Sequence, residues 1–129
     1  MKLTNFLQDV GRPVAYYPRL TGFLGSVKAT LFLCQFLFWE GKQRDKTHRW
    51  IYKTQEEIQR ETGLSRKEQE NARRQLKEKG YLEEKYEGIP RRLFFRMQLE
   101  VINRDWERWI TNEAKVSTND TGTAESDEM

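Results

Sequence analysis

Between Ser26 and Glu40, in the run SVKATLFLCQFLFWE, apolar residues fall on nearly every face of a helical wheel. A helix that is apolar all round is enclosed on all sides, so this segment is expected to be the central helix, with Ser26 as its N-cap. Val27, Leu31, Cys34 and Phe38 form one face, with Leu33, Phe36 and Leu37 beside it. The most polar stripe is Lys28, Phe32, Gln35 and Trp39, where two large rings stand among polar groups and call for a cover. After a charged loop from Gly41 to Arg49, Trp50-Ile51-Tyr52-Lys53 reads as a short strand. Two capping boxes then follow closely, Thr54-x-x-Glu57 and Ser65-x-x-Glu68, each satisfying backbone donors that a helix start would otherwise leave open. Gly63 stands between them, where a positive φ ends one helix and turns the chain into the next. The expected unit is helix, tight turn and helix, locked by Ile58, Leu64, Ala72 and Leu76 and ended by Gly80.

Downstream, YLEEKYEGIPRRLFFRMQL contains two runs rich in aromatic and apolar side chains, interrupted by Glu87-Gly88-Ile89-Pro90, and so predicts a β-hairpin. Ile102, Trp106, Trp109 and Ile110 recur at helical spacing and predict an amphipathic closing helix over residues 103–112. Residues 1–25 hold all but one of the prolines and read as an irregular arm leading into a short helix near Pro18. Residues 113–129 lack aromatics, are rich in small polar and acidic residues, and are expected to form a disordered acidic tail. The pattern thus predicts a mainly α domain with a small β-hairpin over residues 26–112, preceded by an arm and followed by a tail.

Charge sharpens this division. The chain carries +3 overall, but its tail holds Lys115 against Glu113, Asp120, Glu125, Asp127 and Glu128, which leaves about +7 on residues 1–112. A basic body suits a polyanionic partner, and an acidic tail suits either competition for the basic face or recruitment of a replication or transcription partner. Cys34 and His48 are single residues of their kinds, so neither an internal disulfide nor a Cys/His zinc cluster is expected, and no cofactor is implied. The longest apolar stretch, Ala29 to Trp39, is interrupted by Gln35 and is far short of the ~20 residues of a membrane span, so a cytoplasmic setting is expected. There is no phosphate-binding GxxxxGK[ST] loop. Glu83-x-Lys85 has the spacing of a nuclease element, but no aspartate strand precedes it and hairpin alternation accounts for it. No enzymatic activity is expected.

The order helix, strand, helix, turn, helix, hairpin resembles the winged helix-turn-helix domain. GLSRKEQENARRQLKEKGYLEEK is similar to its recognition helix and first wing strand. More narrowly, YYPRLTGFLGSVKATLFLCQFLFW and the stretch from Trp50 to Met97 resemble DNA-binding proteins of phages and mobile elements, including the DNA-binding domain of phage and plasmid replication proteins. The resemblance implies a three-helix core with a wing and a C-terminal helix, binding double-stranded DNA in replication initiation or transcriptional control. Independently of it, the segment Ser65 to Lys79 has what a helix needs in the major groove, ~12 Å wide: long polar and cationic side chains near its N-terminal end. With Ala72 and Leu76 inward, Ser65, Arg66, Lys67, Glu70, Asn71 and Arg74 face out, with Arg73 and Lys77 at the flank. Arginines can read guanine, Asn71 adenine and Glu70 cytosine. Arg91, Arg92 and Arg96 place cations on the wing, where they would hold phosphate. Gln69, Arg73 and Lys79 depart from the family, which often has Val or Leu at these positions. Spare aromatics at Phe32, Trp39, Trp106 and Trp109 are candidates for a homodimer interface. The competing reading is a winged-helix module that binds protein instead of DNA.

Overall fold

The computed structural model describes residues 2–9, 13–42 and 50–128, with the backbone alone at 6, 8 and 9 and from 116 onward. These residues form α1 (Leu3–Asp9), α2 (Pro18–Leu24), α3 (Val27–Lys42), β1 (Ile51–Tyr52), α4 (Gln55–Thr62), α5 (Arg66–Glu78), β2 (Leu82–Glu87), β3 (Arg92–Met97) and α6 (Leu99–Glu128). The architecture is mainly helical, with one small antiparallel sheet in the order β1-β3-β2. The expected charged loop with His48 lies almost wholly outside the described residues, except that Gly41 and Lys42 complete α3.

α3 is the centre of the core, as its all-round apolarity predicts, and it packs against α2, α4, α5 and β3. Its faces, however, are distributed differently from the reading above. Phe32, Gln35 and Trp39 of the polar-looking stripe are buried, whereas Val27 is 51% exposed. Glu61 of α4 makes this arrangement workable. Its Oε1 accepts from Gln35 Nε2 at 3.0 Å and from Trp39 Nε1 at 2.9 Å, while its Oε2 accepts from Lys53 Nζ at 3.1 Å. One carboxylate therefore takes the Gln35 amide and the Trp39 indole N–H, and the rings are free to pack inward. The assignment of Phe32 and Trp39 to a dimer surface is accordingly corrected. Phe32 is fully buried, stacked on Phe36 at 4.6 Å and edge-on to Phe95 at 6.1 Å, and both rings belong to the core.

The sheet closes one side of that core. Ile51 pairs with Phe95, and Leu82 pairs with Met97, and these four residues turn inward and are buried. At the other side, α6 inserts Ile102 into the core and lays Trp106 and Trp109 against Phe23 of α2, at 5.4 and 5.9 Å between ring centroids. Tyr81 stacks on the same Phe23 at 5.8 Å and donates its hydroxyl to Asp105 at 2.8 Å. Burial and that hydrogen bond push the Tyr81 phenol up to about 12, and the same bond holds the Asp105 carboxyl below its ordinary value. Trp106 and Trp109 thus cover α2 within the same chain.

Two segments carry more helix than the sequence reading assigned. Leu3–Asp9 is helical within the expected arm, and α6 runs to Glu128 through the expected disordered tail. Residues 113–128 contain no proline and only one glycine, Gly122. Extending an existing helix avoids the cost of nucleating a new one. No single helix among the described residues is long and apolar enough to cross a membrane.

Candidate nucleic-acid interface

Both capping boxes form as the sequence predicts. Glu57 N donates to Thr54 Oγ1 at 3.1 Å while Thr54 N donates to Glu57 Oε1 at 3.0 Å. The Ser65 and Glu68 pair repeats this at 3.2 and 2.9 Å. Gly63 takes φ 78°, a conformation most side chains disfavour, and this lets α5 follow α4 with only three residues between them. The Glu68 carboxylate is held below its ordinary value, first by the Ser65 backbone N–H, and it also lies 3.1 Å from Lys28. α5 is thereby tied at its first turn to the start of α3.

Gln69 is a polar side chain that is fully buried between the two helices. Its Nε2 donates to the carbonyls of Gln55 and Leu64, both at 3.0 Å, spanning from the start of α4 to the turn. Its hydrogen bonds tie the two helices together beside the aliphatic packing of Ile58, Leu64, Ala72 and Leu76. Replacing it with Ala removes both bonds, leaves the Leu64 carbonyl without this donor, and opens a small void. Gln69→Ala is expected to destabilise the chain by about 2 kcal/mol in urea unfolding. An unchanged midpoint would show that the amide carries no structural load.

The outer face of α5 carries most of the predicted readers. Arg66, Lys67, Glu70 and Arg74 are exposed, and Ser65 and Asn71 are half-buried. They pair loosely among themselves: Arg66 Nε lies 4.0 Å from Glu70, and Arg74 Nη2 donates to Asn71 Oδ1 at 2.7 Å. Such exposed pairs contribute about 0 to 1 kcal/mol, so exchanging them for a ligand costs little. Beside this face, a cleft of about 460 Å³ separates Asn71, Arg74 and Gln75 from the first turn of α3.

Arg73 does not join them. Its guanidinium binds both carboxylate oxygens of Glu84 on β2, with Nη2 to Oε1 at 3.1 Å, and the two side chains are only 12% and 10% exposed. The placement of Arg73 in the interface is therefore corrected: burial beneath the sheet commits its charge to Glu84. Lys77 shares that carboxylate at 2.9 Å but is 45% exposed, so it remains on the flank of the face.

The wing cations divide between two sides. Glu84 and Tyr86 turn toward α5, as their interactions with Arg73 show, and Arg91 lies over the Tyr86 ring at 3.8 Å. Arg92 and Arg96 turn to the opposite sheet face, over Tyr52 at 5.4 Å and Trp50 at 4.4 Å. Arg96 is also held by Glu83 at 3.0 Å. Following β2 from Glu84 toward the hairpin turn covers three residues, roughly 10 Å of strand. From Arg73 back to Arg66 is seven residues, roughly 10 Å of helix. With Glu84 against Arg73 and Lys77, and Tyr86 against Arg73, these directions bring the hairpin tip and Arg91 toward the end of α5 that carries Ser65 to Lys67.

No family model, curated protein or solved structure matches the chain. The functional reading therefore rests on this geometry. Among the described residues no group of three or more His, Cys, Asp or Glu is placed to hold a metal ion. Cys34 is buried in α3, and burial pushes its thiol up, against an opposing backbone hydrogen bond from Tyr17.

Proposed function

We propose that the chain is a winged helix-turn-helix protein that binds double-stranded DNA, with α5 in the major groove and the β2–β3 hairpin as the wing. The observation that carries this reading is the exposed set Arg66, Lys67, Glu70 and Arg74 with half-buried Asn71 among them, on a helix toward whose N-terminal end the strand direction carries the hairpin tip and Arg91. A helix ~10 Å across fits the major groove, where arginine forks meet guanine and the Asn71 amide meets adenine once Arg74 releases it. Arg91 and the first turn of α5 meet phosphates, which position the helix without reading sequence. Replication initiation or transcriptional control in a phage or mobile element is the setting the resemblance implies for such a duplex reader.

The test is selection of bound duplexes from a random pool, followed by titrations on selected and scrambled duplex over a range of salt. Arg66→Ala and Arg74→Ala are each expected to cost about 1 to 3 kcal/mol on the selected site and to relax base choice. Arg91→Ala is expected to weaken both duplexes alike and to lower the salt slope by about one. Duplex affinity untouched by any of the three would overturn the assignment. An absence of duplex affinity at moderate salt would move the reading to a protein-binding winged helix.

A further inference from the structure

The outer face of the sheet is a different surface, and the duplex reading leaves it unused. Residue parity places Trp50 and Tyr52 of the β1 segment, Phe94 of β3 and Lys85 of β2 on it, together with Arg92 and Arg96. Tyr52 pairs in register with Phe94, which pairs in register with Lys85. The Tyr52 and Phe94 rings lie 5.5 Å apart. Lys85 and Arg96 each stand 4.4 Å from the Trp50 ring, and Arg92 stands 5.4 Å from Tyr52. Tyr52 is 40% exposed, and Trp50 and Phe94 are half-buried. The carboxylates on this face, Glu83 and Glu87, are paired with Arg96 and Lys85 at 3.0 and 2.9 Å. Arg92 has only a ring for a partner among the described residues.

We propose that this face binds single-stranded nucleic acid by stacking unpaired bases on Tyr52, Phe94 and Trp50, while the cations above these rings swing out to the phosphates. Three physical points select that occupant. Backbone positions on adjacent strands lie ~4.8 Å apart and alternate positions along a strand ~6.7 Å apart, spacings that suit extended, unstacked bases. A duplex keeps its base faces inside its own stack and cannot offer them to a side chain, whereas a single strand offers one π-face and one phosphate per nucleotide. An apolar protein surface would strand the cations that cap the rings, but a phosphate chain takes them as partners.

The test is fluorescence anisotropy with a labelled oligothymidylate of about 12 nucleotides, within the usual span of a stacking platform. An abasic oligomer of the same length and a labelled duplex are measured beside it. The parent chain is expected to bind oligothymidylate and to bind the abasic strand about tenfold less well. Tyr52→Leu and Phe94→Leu keep apolar bulk but lose the ring, and each is expected to lower oligothymidylate affinity about tenfold while leaving duplex affinity unchanged. Tyr52→Phe keeps the ring and is expected to bind like the parent, provided that circular dichroism shows all variants folded. Equal affinity for the abasic strand, or parental binding by both leucine variants, would overturn stacking. The duplex arm judges the other face separately: Arg74→Ala is expected to weaken duplex binding and to spare oligothymidylate.

Discussion

Phe32→Ala is expected to lower stability by about 4 kcal/mol, because Phe32 is fully buried among Phe36, Phe95 and the rest of the core and its removal leaves a cavity that surrounding helices cannot fill. Urea unfolding followed by far-ultraviolet circular dichroism measures this directly. Trp109→Ala is expected to cost less, since its ring is only half-buried against Phe23. Sedimentation separates this result from a role in self-association. If Phe32 were an interface residue, its alanine variant would keep its unfolding free energy per protomer and shift in mass; as a core residue it loses stability with no change of mass in the folded species.

The parts of the fold that were legible from sequence are those that local chemistry decides. Thr54 and Glu57, like Ser65 and Glu68, sit three residues apart because the hydrogen bonds they exchange span three residues, so the starts of α4 and α5 could be read from the chain. Gly63 and the β2–β3 turn are similarly local. The faces of α3 were not legible, since whether Gln35 and Trp39 point inward depends on Glu61, which lies 26 and 22 residues further along the chain. A polar-looking stripe became the buried one because a distant carboxylate arrived to satisfy it.

The candidate site divides in the same way. Exposure of Arg66, Lys67, Glu70 and Arg74 follows from helical periodicity once Ala72 and Leu76 are inside. Helical periodicity places Arg73 only at the flank, and a signal for its burial lies in the next strand: Glu84 has the same strand parity as buried Leu82, so its carboxylate needs a cation from the helix above. The aromatic outer face required pairing of β1 with β3, more than 40 residues apart in sequence, which periodicity within either segment does not reveal. Alternation along β3 against buried Phe95 and Met97 turns Arg92 and Arg96 away from the α5 side, although the sequence places them close to Arg91.

Glu84 links the two halves of the proposed duplex surface, and Glu84→Ala is expected to destabilise the chain by about 3 kcal/mol at neutral pH, since Arg73 would remain beneath the sheet without its counter-charge. Burial pushes the Glu84 carboxyl up, but the hydrogen bonds from Arg73 and Lys77 outweigh it and hold the carboxyl below its ordinary value. A carboxyl held down in the folded state contributes its full stabilisation above the unfolded value, near ~4.3, and loses it as pH falls through the lower folded value. The parent should therefore lose stability on acidification through and below about pH 4, and Glu84→Gln, which keeps the shape without the titrating group, should lose less over the same range. Unfolding in urea at a series of pH values reads both effects, and an acid limb identical in parent and Glu84→Gln would remove Glu84 from the account. Because the same carboxylate ties α5 to β2, Glu84→Gln held well below its melting temperature should also weaken binding to the selected duplex. Its wing is then less firmly placed relative to Arg66 and Lys67, so the loss should appear mainly as faster dissociation, with the base preference set by Arg66 and Arg74 retained.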